Sequence, residues 1–171
     1  MFQNIANFSN TSDYLPILSS VLITDLFVIL LMNLKFIKSR VLKEWYDKYN
    51  LSAILCDILI IFIGIIIARY VYYKIFKSYS LYKFVGLAVC IQVIHDILFY
   101  QVVTSIPRGA NRMIDTFKDY GKEVSYKAIL SDSAMMVMAA IIASYLAGES
   151  LNKNIIVLVV SVYVLPYLLY N

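Results

Sequence analysis

The sequence predicts an all-α polytopic membrane protein. It reads as a bundle of about five transmembrane helices, with a short amphipathic interfacial helix between spans three and four. Three observations predict this. Hydrophobic residues make up 61% of the 171-residue chain, and mean hydropathy is +0.76; soluble domains are only ~45–50% apolar. Charged residues make up 15%, against about 25% in soluble domains. The apolar residues are gathered into runs near the ~20 residues that a helix needs to cross hydrocarbon, without the alternation of barrel strands. Backbone groups inside lipid must be satisfied within their own segment, so these runs are helices. The length fits a single transmembrane domain over residues 1–171.

The spans follow in order. The first covers about residues 15–34, LPILSSVLITDLFVILLMNL, with Pro16 suited to a first helical turn. The second covers about 50–68, with Asn50 as a candidate N-cap. The third is about 82–104 and the fourth about 126–147. The fifth, about 154–170, is short and carries Pro166. Between the third and fourth, Pro107 and Gly109 mark a turn. Met113, Ile114, Phe117 and Tyr120 then recur at helical spacing, with Arg112, Asp115, Lys118, Asp119 and Lys122 on the other faces. This predicts an amphipathic helix over about 111–120, lying in the interface or packed on the end of the bundle. Its Lys and Arg residues suit anionic lipid headgroups, an attraction that the interspersed acids oppose.

Charge between the spans sets an expected orientation. Lys35, Lys38, Arg40, Lys43 and Lys48 follow the first span, and Arg108, Arg112, Lys118 and Lys122 follow the third. The opposite side carries Arg69, Lys74, Lys77, Lys83 and Lys153. Nine against five places the N-terminus outside and the C-terminus in the cytoplasm. The net charge of +4 thus reports membrane topology, and nucleic acid is not expected as a partner. The N-terminal stretch MFQNIANFSNTSDY has no Lys or Arg; it lacks the basic start of a signal peptide and reads as a mature tail. Two N-x-[ST] sequons begin there, at Asn7 and Asn10. Cys56 and Cys90 lie inside apolar runs without CxxC spacing and read as small buried hydrophobes.

The residues that ask for an explanation are acids. Asp25, Asp57, Asp96 and Asp132 each stand inside one of the first four spans, and the fifth span has none. An Asp at a helix centre costs roughly 2.5–3.5 kcal/mol on insertion scales. At about 1.5 Å of rise per residue, Asp25 lies near its midplane; Asp57 and Asp96 lie about two to three residues toward the cytoplasmic side and Asp132 about four, a layer roughly one turn thick. Gln92, His95 and Asp96 share one helix face by their i, i+3, i+4 spacing. Ala53 and Gly64 flank Asp57 on one stripe, and Ala128, Ala139 and Ala143 flank Asp132. Small residues line helix contacts in membranes, so these two acids are expected to face inward. Asp25 has only Ser20 and Thr24 as polar companions, which leaves its facing open. The fifth helix would pack outside the resulting four-helix bundle or against a second copy in a homo-oligomer.

Asp25, Asp57, Gln92, His95, Asp96 and Asp132 thus form a candidate cation or proton site with no Lys or Arg among them. Such layers suit proton relay or cation binding. Calcium or magnesium would take the carboxylates and a transition metal could add His95; no metal or other cofactor is assigned. The alternative is that the acids only hydrogen-bond across helices, to Ser19, Ser20, Ser131, Ser133 or Gln92, in a structural or scaffolding protein without transport activity. An enzyme is not expected. Tyr46–Asp47 falls in a loop and no GxGD follows, so the intramembrane aspartyl protease pattern is missing, as are the DG…AR…G…D…D run of CDP-alcohol phosphotransferases, HExxH and any serine–histidine pairing.

The stretch from IQVIHDILFY through IPRGANRMIDTFKDYGKEVSYKAILSDSAMMVMAA, which spans three and four share, resembles uncharacterised multi-pass membrane proteins of large nucleocytoplasmic DNA viruses. The resemblance implies a viral or virus-remodelled internal membrane, and so lends weight to the structural class. It implies no chemistry for particular residues.

Overall fold

The computed structural model describes residues 2–171. These residues form seven α-helices and no strand. In chain order they are α1 (Tyr14–Asn33), α2 (Arg40–Tyr49), α3 (Leu51–Ile75), α4 (Leu81–Ser105), α5 (Arg112–Val124), α6 (Tyr126–Leu146) and α7 (Leu151–Leu169), with a 3-10 turn Thr11–Asp13 before α1. Five of them, α1, α3, α4, α6 and α7, are long and apolar enough to cross a membrane. The protein is therefore an all-helical, multi-pass integral membrane protein. Large apolar side chains stand outward along the spans, among them Leu55, Ile67, Ile94, Leu98 and Val159, as lipid contact requires.

α1 is the central helix. It packs against α3, α6 and α7, while α4 packs against α3 and α6. Its Ile17, Val21, Leu22, Leu26 and Ile29 are buried. Small residues set the close contacts: Ala53, Gly64 and Ala68 on α3, and Ala139, Ala140 and Ala143 on α6, are buried. A Cβ placed on Gly64 would come within 2.8 Å of the Met136 methyl on α6, so a side chain there would have to displace the end of Met136 from this close crossing. α7 lies outside the four-helix bundle, and Asn33 Nδ2 donates to the Leu168 carbonyl at 2.7 Å to join its end to α1.

The structure corrects four sequence expectations. The segment after the first span is not a loop throughout, because α2 forms there. Its Val41, Leu42, Trp45, Tyr46 and Tyr49 share one helical face, and Val41, Trp45 and Tyr46 are buried. Asn50 does not cap α3 with its side chain; it is a single-residue hinge at φ 48° between α2 and α3. Arg69 is not a loop cation. α3 continues to Ile75, and Arg69 is buried within it, donating to Asp13 at 3.0 Å and to the carbonyls of Asn7 and Asn10. Finally, Cys56 and Cys90 are free and exposed rather than buried, Cys56 at the edge of the cavity described below. An apolar run surrounded by lipid does not distinguish the two positions.

The N-terminal stretch is folded back over the bundle. Ile5 and Ala6 are fully buried. Gln3 bonds Ser144 twice, by its N–H to the Ser144 carbonyl at 2.9 Å and by its own carbonyl to the Ser144 hydroxyl at 2.6 Å. With Arg69 and Asp13, these contacts close the end of the bundle that α2 and α5 do not cover.

The first six helices repeat one plan: span, short amphipathic helix, one-residue hinge, span. α1–α2–Asn50–α3 is matched by α4–α5–Ser125–α6. The hinges have nearly the same backbone, φ 48°, ψ −124° at Asn50 and φ 52°, ψ −133° at Ser125. Each short helix has a side-chain N-cap, Ser39 for α2 and Asn111 for α5. The packing is paired in the same way: α1 meets α3 and α6, α4 meets α6 and α3, and α2 meets α5. Because each unit has two spans, both enter from the same side of the membrane, the arrangement of a parallel repeat. α7 has no counterpart.

Candidate functional site

The acids are best followed from the two short helices that approach them. α2 begins at Ser39, whose Oγ accepts from Leu42 N–H at 3.1 Å and donates to Glu123 of α5 at 2.6 Å. Glu123 also accepts from the Val41 N–H at 3.2 Å, so one unit's short helix holds the start of the other's. Tyr49 Oη donates to the Arg112 carbonyl at 2.7 Å and lies 3.0 Å from Thr116 Oγ1. α5 is therefore packed on the bundle end, against α2, α4 and α6, with Asn111 capping the N–H groups of Met113 and Ile114. It is longer than the sequence suggested, running on to Val124.

This packing aims α2 side chains at two of the acids. The Trp45 indole donates to Asp57 Oδ2 at 3.0 Å, and the Tyr46 hydroxyl donates to Asp25 Oδ1 at 3.1 Å. Asp25 is fully buried, which settles the facing that the sequence left open. Burial, and then the carboxylates of Asp57 and Asp25, hold the Tyr46 hydroxyl well above its ordinary pKa, so it is a permanent donor at neutral pH.

On the other unit, Gln92 Nε2 donates to Asp96 Oδ1 at 2.7 Å, and His95 Nδ1 stands 3.1 Å from the same oxygen. Asp96 Oδ2 is buried with no partner. Asp132 is largely buried and receives no side-chain hydrogen bond. The serines expected to partner the acids do not do so. Ser20 donates to the Ile17 carbonyl of its own helix, and Ser19 Oγ has no partner.

These groups border a cavity of about 1080 Å³ between α3, α4 and α6, roofed by α2 and α5. Asp57, Gln92, His95, Asp96 and Asp132 line it; Asp25 does not, because it sits behind Tyr46. No Lys or Arg lines it. Its wall is otherwise mostly apolar and aromatic, with Ile60, Ile63, Ile97, Ile129 and Met135 among the aliphatic groups. Trp45 and Phe117 rings lie 4.6 Å apart, Phe117 and Phe99 5.1 Å, and Phe99 stacks on His95 at 5.5 Å. Of the six site residues expected from sequence, five thus meet at one cavity. They stand around it rather than converging on a point: no three His, Cys, Asp or Glu side chains among the described residues come together as a set that could hold a metal ion.

Sequence reasoning passed over Trp45, Tyr46, Tyr120 and Gly121. A signal for them exists in the chain. Ala53-Ile54-Leu55-Cys56-Asp57 and Ala128-Ile129-Leu130-Ser131-Asp132 read AILCD and AILSD, each with its Asp seven residues after the hinge. Ile23-Thr24-Asp25-Leu26 and Ile94-His95-Asp96-Ile97 share the Ile and the Asp two residues on, each followed by an aliphatic residue. The four acids are two pairs of counterparts, Asp25 with Asp96 and Asp57 with Asp132, which accounts for their common depth. Among known proteins, no family model, curated protein or solved structure matches the chain.

Proposed function

We propose that this integral membrane protein takes up a cation or protons in the acidic cavity, and that its role is binding or transport rather than catalysis. One observation carries the reading: Asp57, Asp96, Asp132 and His95 open onto a single cavity whose wall has no Lys or Arg. Charge pairs at an effective dielectric near 20 interact about four times as strongly as in water. A counter-cation or a bound proton relieves that repulsion, and carboxylates inside membranes serve this use. The spread of the groups around the cavity favours protons or a loosely coordinated cation over a tightly chelated divalent ion.

A second reading has its own support. Asp25 and Asp57 each spend an oxygen on an α2 side chain, so both pin α2 to the bundle. Extended to all four acids, this makes the protein a structural component, and the resemblance over spans three and four supports a viral or virus-remodelled membrane as its place. The two readings separate in a thermal-stability series on detergent-purified protein across pH, sodium, calcium and magnesium, for wild type and Asp96→Asn. A ligand that binds only the native state raises stability by mass action. Ion or proton uptake predicts a stabilising response that wild type shows and Asp96→Asn loses. A wild type indifferent to every condition, melting like the variant, leaves the structural reading.

A further inference from the structure

The two units treat their acids differently, and one residue of the first has no side-chain counterpart in the second. Tyr46 stands four residues before the hinge Asn50; four residues before the hinge Ser125 stands Gly121. In the first unit the Tyr46 hydroxyl fills the space beside Asp25 and donates to it. In the second unit no α5 side chain does so, and Asp96 Oδ1 is met only from its own helix, by Gln92 and His95. Both Asp25 and its counterpart Asp96 keep Oδ2 buried and unpartnered, but Gly121 lines the cavity and leaves Asp96 facing open space, whereas Asp25 is shut behind Tyr46 and does not line it. Asp132, the counterpart of Asp57, goes without a side-chain donor. The absent side chain leaves the wall of the cavity open at Gly121. Nothing in the backbone requires glycine there, because Gly121 has no positive φ.

We infer that the second unit holds a binding site for a lipophilic organic amine, whose ammonium takes at Asp96 and Asp132 the place that the Tyr46 hydroxyl takes at Asp25. The inference rests on the cation-binding reading above and deepens it. Three features select the ligand class. The volume of about 1080 Å³ matches a site for an organic molecule, typically ~300–1,000 Å³, and far exceeds a bare ion. Asp96 Oδ2 is buried without a partner and Asp132 has no side-chain donor, so both can take an N–H donor that carries positive charge, and no Lys or Arg of the wall supplies one. The remaining wall is aliphatic and aromatic, with the rings of Trp45, Phe117 and Phe99 in contact. Such rings accept both an apolar body and, by their faces, a cation.

The test uses the purified full chain and two probes of one shape, naphthylethylamine and naphthylethanol, with sodium, calcium and pH series alongside. Binding is read by thermal stability and by naphthalene fluorescence. The amine is expected to bind saturably and stabilise wild type, and the alcohol is not. Gly121→Tyr supplies the missing hydroxyl from within and is expected to weaken amine binding roughly tenfold to a hundredfold, the range of a charge-assisted hydrogen bond. Its ring must push aside the edge of Tyr100, which a Cβ at residue 121 would meet at 3.4 Å. If Gly121→Tyr does not fold, Asp96→Asn reads the same contact without added bulk and is expected to show the same loss. Equal binding of amine and alcohol, or undiminished amine binding in these variants, overturns the inference. An amine without effect beside an Asp96-dependent response to sodium, calcium or pH overturns it while the cation reading stands. Silence of every probe overturns both.

Discussion

Tyr46 shows how a single hydroxyl decides the state of a buried acid. Asp25 is fully buried and has one oxygen on Tyr46 and the other unpartnered. Tyr46→Phe removes the only side-chain donor to Asp25 and is expected to cost about 1–3 kcal/mol, the penalty for stranding a buried polar group. Denaturant unfolding of wild type and variant at neutral pH measures it. The same hydroxyl carries a pH signature. Burial and the neighbouring carboxylates raise its folded pKa above the unfolded value, which is near 10. A raised folded pKa stabilises fully below the unfolded pKa, and that stability is lost as pH rises beyond it. Wild type should therefore lose stability above about pH 10, and Tyr46→Phe should lack that slope; parallel slopes would show that the hydroxyl is not held as described. None of this was legible at Tyr46 itself. Hydropathy located the acids, since charge in an apolar run stands out, but a tyrosine in a basic connecting segment gives no sign of the carboxylate it will meet 21 residues away in sequence.

At the scale of elements, the spans were legible because lipid imposes length and apolarity together. α5 was legible because its apolar and charged faces are cleanly separated. α2 was not, although Val41, Leu42, Trp45, Tyr46 and Tyr49 hold the same periodicity. Its ten residues are fewer than an isolated helix needs to persist in water, so tertiary contacts with α3 and α5 and the cap supplied by Ser39 and Glu123 stabilise it. The hinges were misread for a related reason. Asn before a span looks like an N-cap, yet at φ 48° Asn50 turns its side chain back to the Asp47 carbonyl at 3.3 Å. Both hinges hold non-glycine residues in a region that favours glycine. Ser125 makes no compensating side-chain bond as the cap of α6. Ser125→Gly is therefore expected to be neutral or to stabilise by up to about 1 kcal/mol, and Ser125→Val to destabilise by roughly 1–3 kcal/mol. Asn50→Gly should gain less, because it forfeits the bond to Asp47. Melting temperatures of the three variants check the order; a Ser125→Val protein as stable as wild type would mean that the turn is unstrained.

For the whole molecule, the repeat joins sequence to architecture. The two units share helices, hinges and acids but not the residue four before the hinge, and the cavity opens on the side where that residue is glycine. Because α2 and α5 both roof the cavity, the orientation of the chain decides which compartment it faces. The structure alters the charge count behind that orientation. Arg69 is buried and paired with Asp13, so it leaves the tally; Lys127, exposed in the first turn of α6, joins it, and the contrast grows to ten basic residues on the α2 and α5 side against four, Lys74, Lys77, Lys83 and Lys153, on the other. The positive-inside rule then predicts that the cavity roof is cytoplasmic and the N-terminus external. Single cysteines on a Cys56→Ser, Cys90→Ser background test it directly. Phe36 and Ala110 are exposed on the roof side, and Ser78 and Gly148 on the opposite side. In intact cells whose surface membrane carries the protein, a membrane-impermeant maleimide is expected to label Ser78→Cys and Gly148→Cys, while Phe36→Cys and Ala110→Cys label only after permeabilisation. The reverse pattern would turn the cavity roof outward, and any amine reaching Asp96 past α2 and α5 would then come from outside the cell rather than from the cytoplasm.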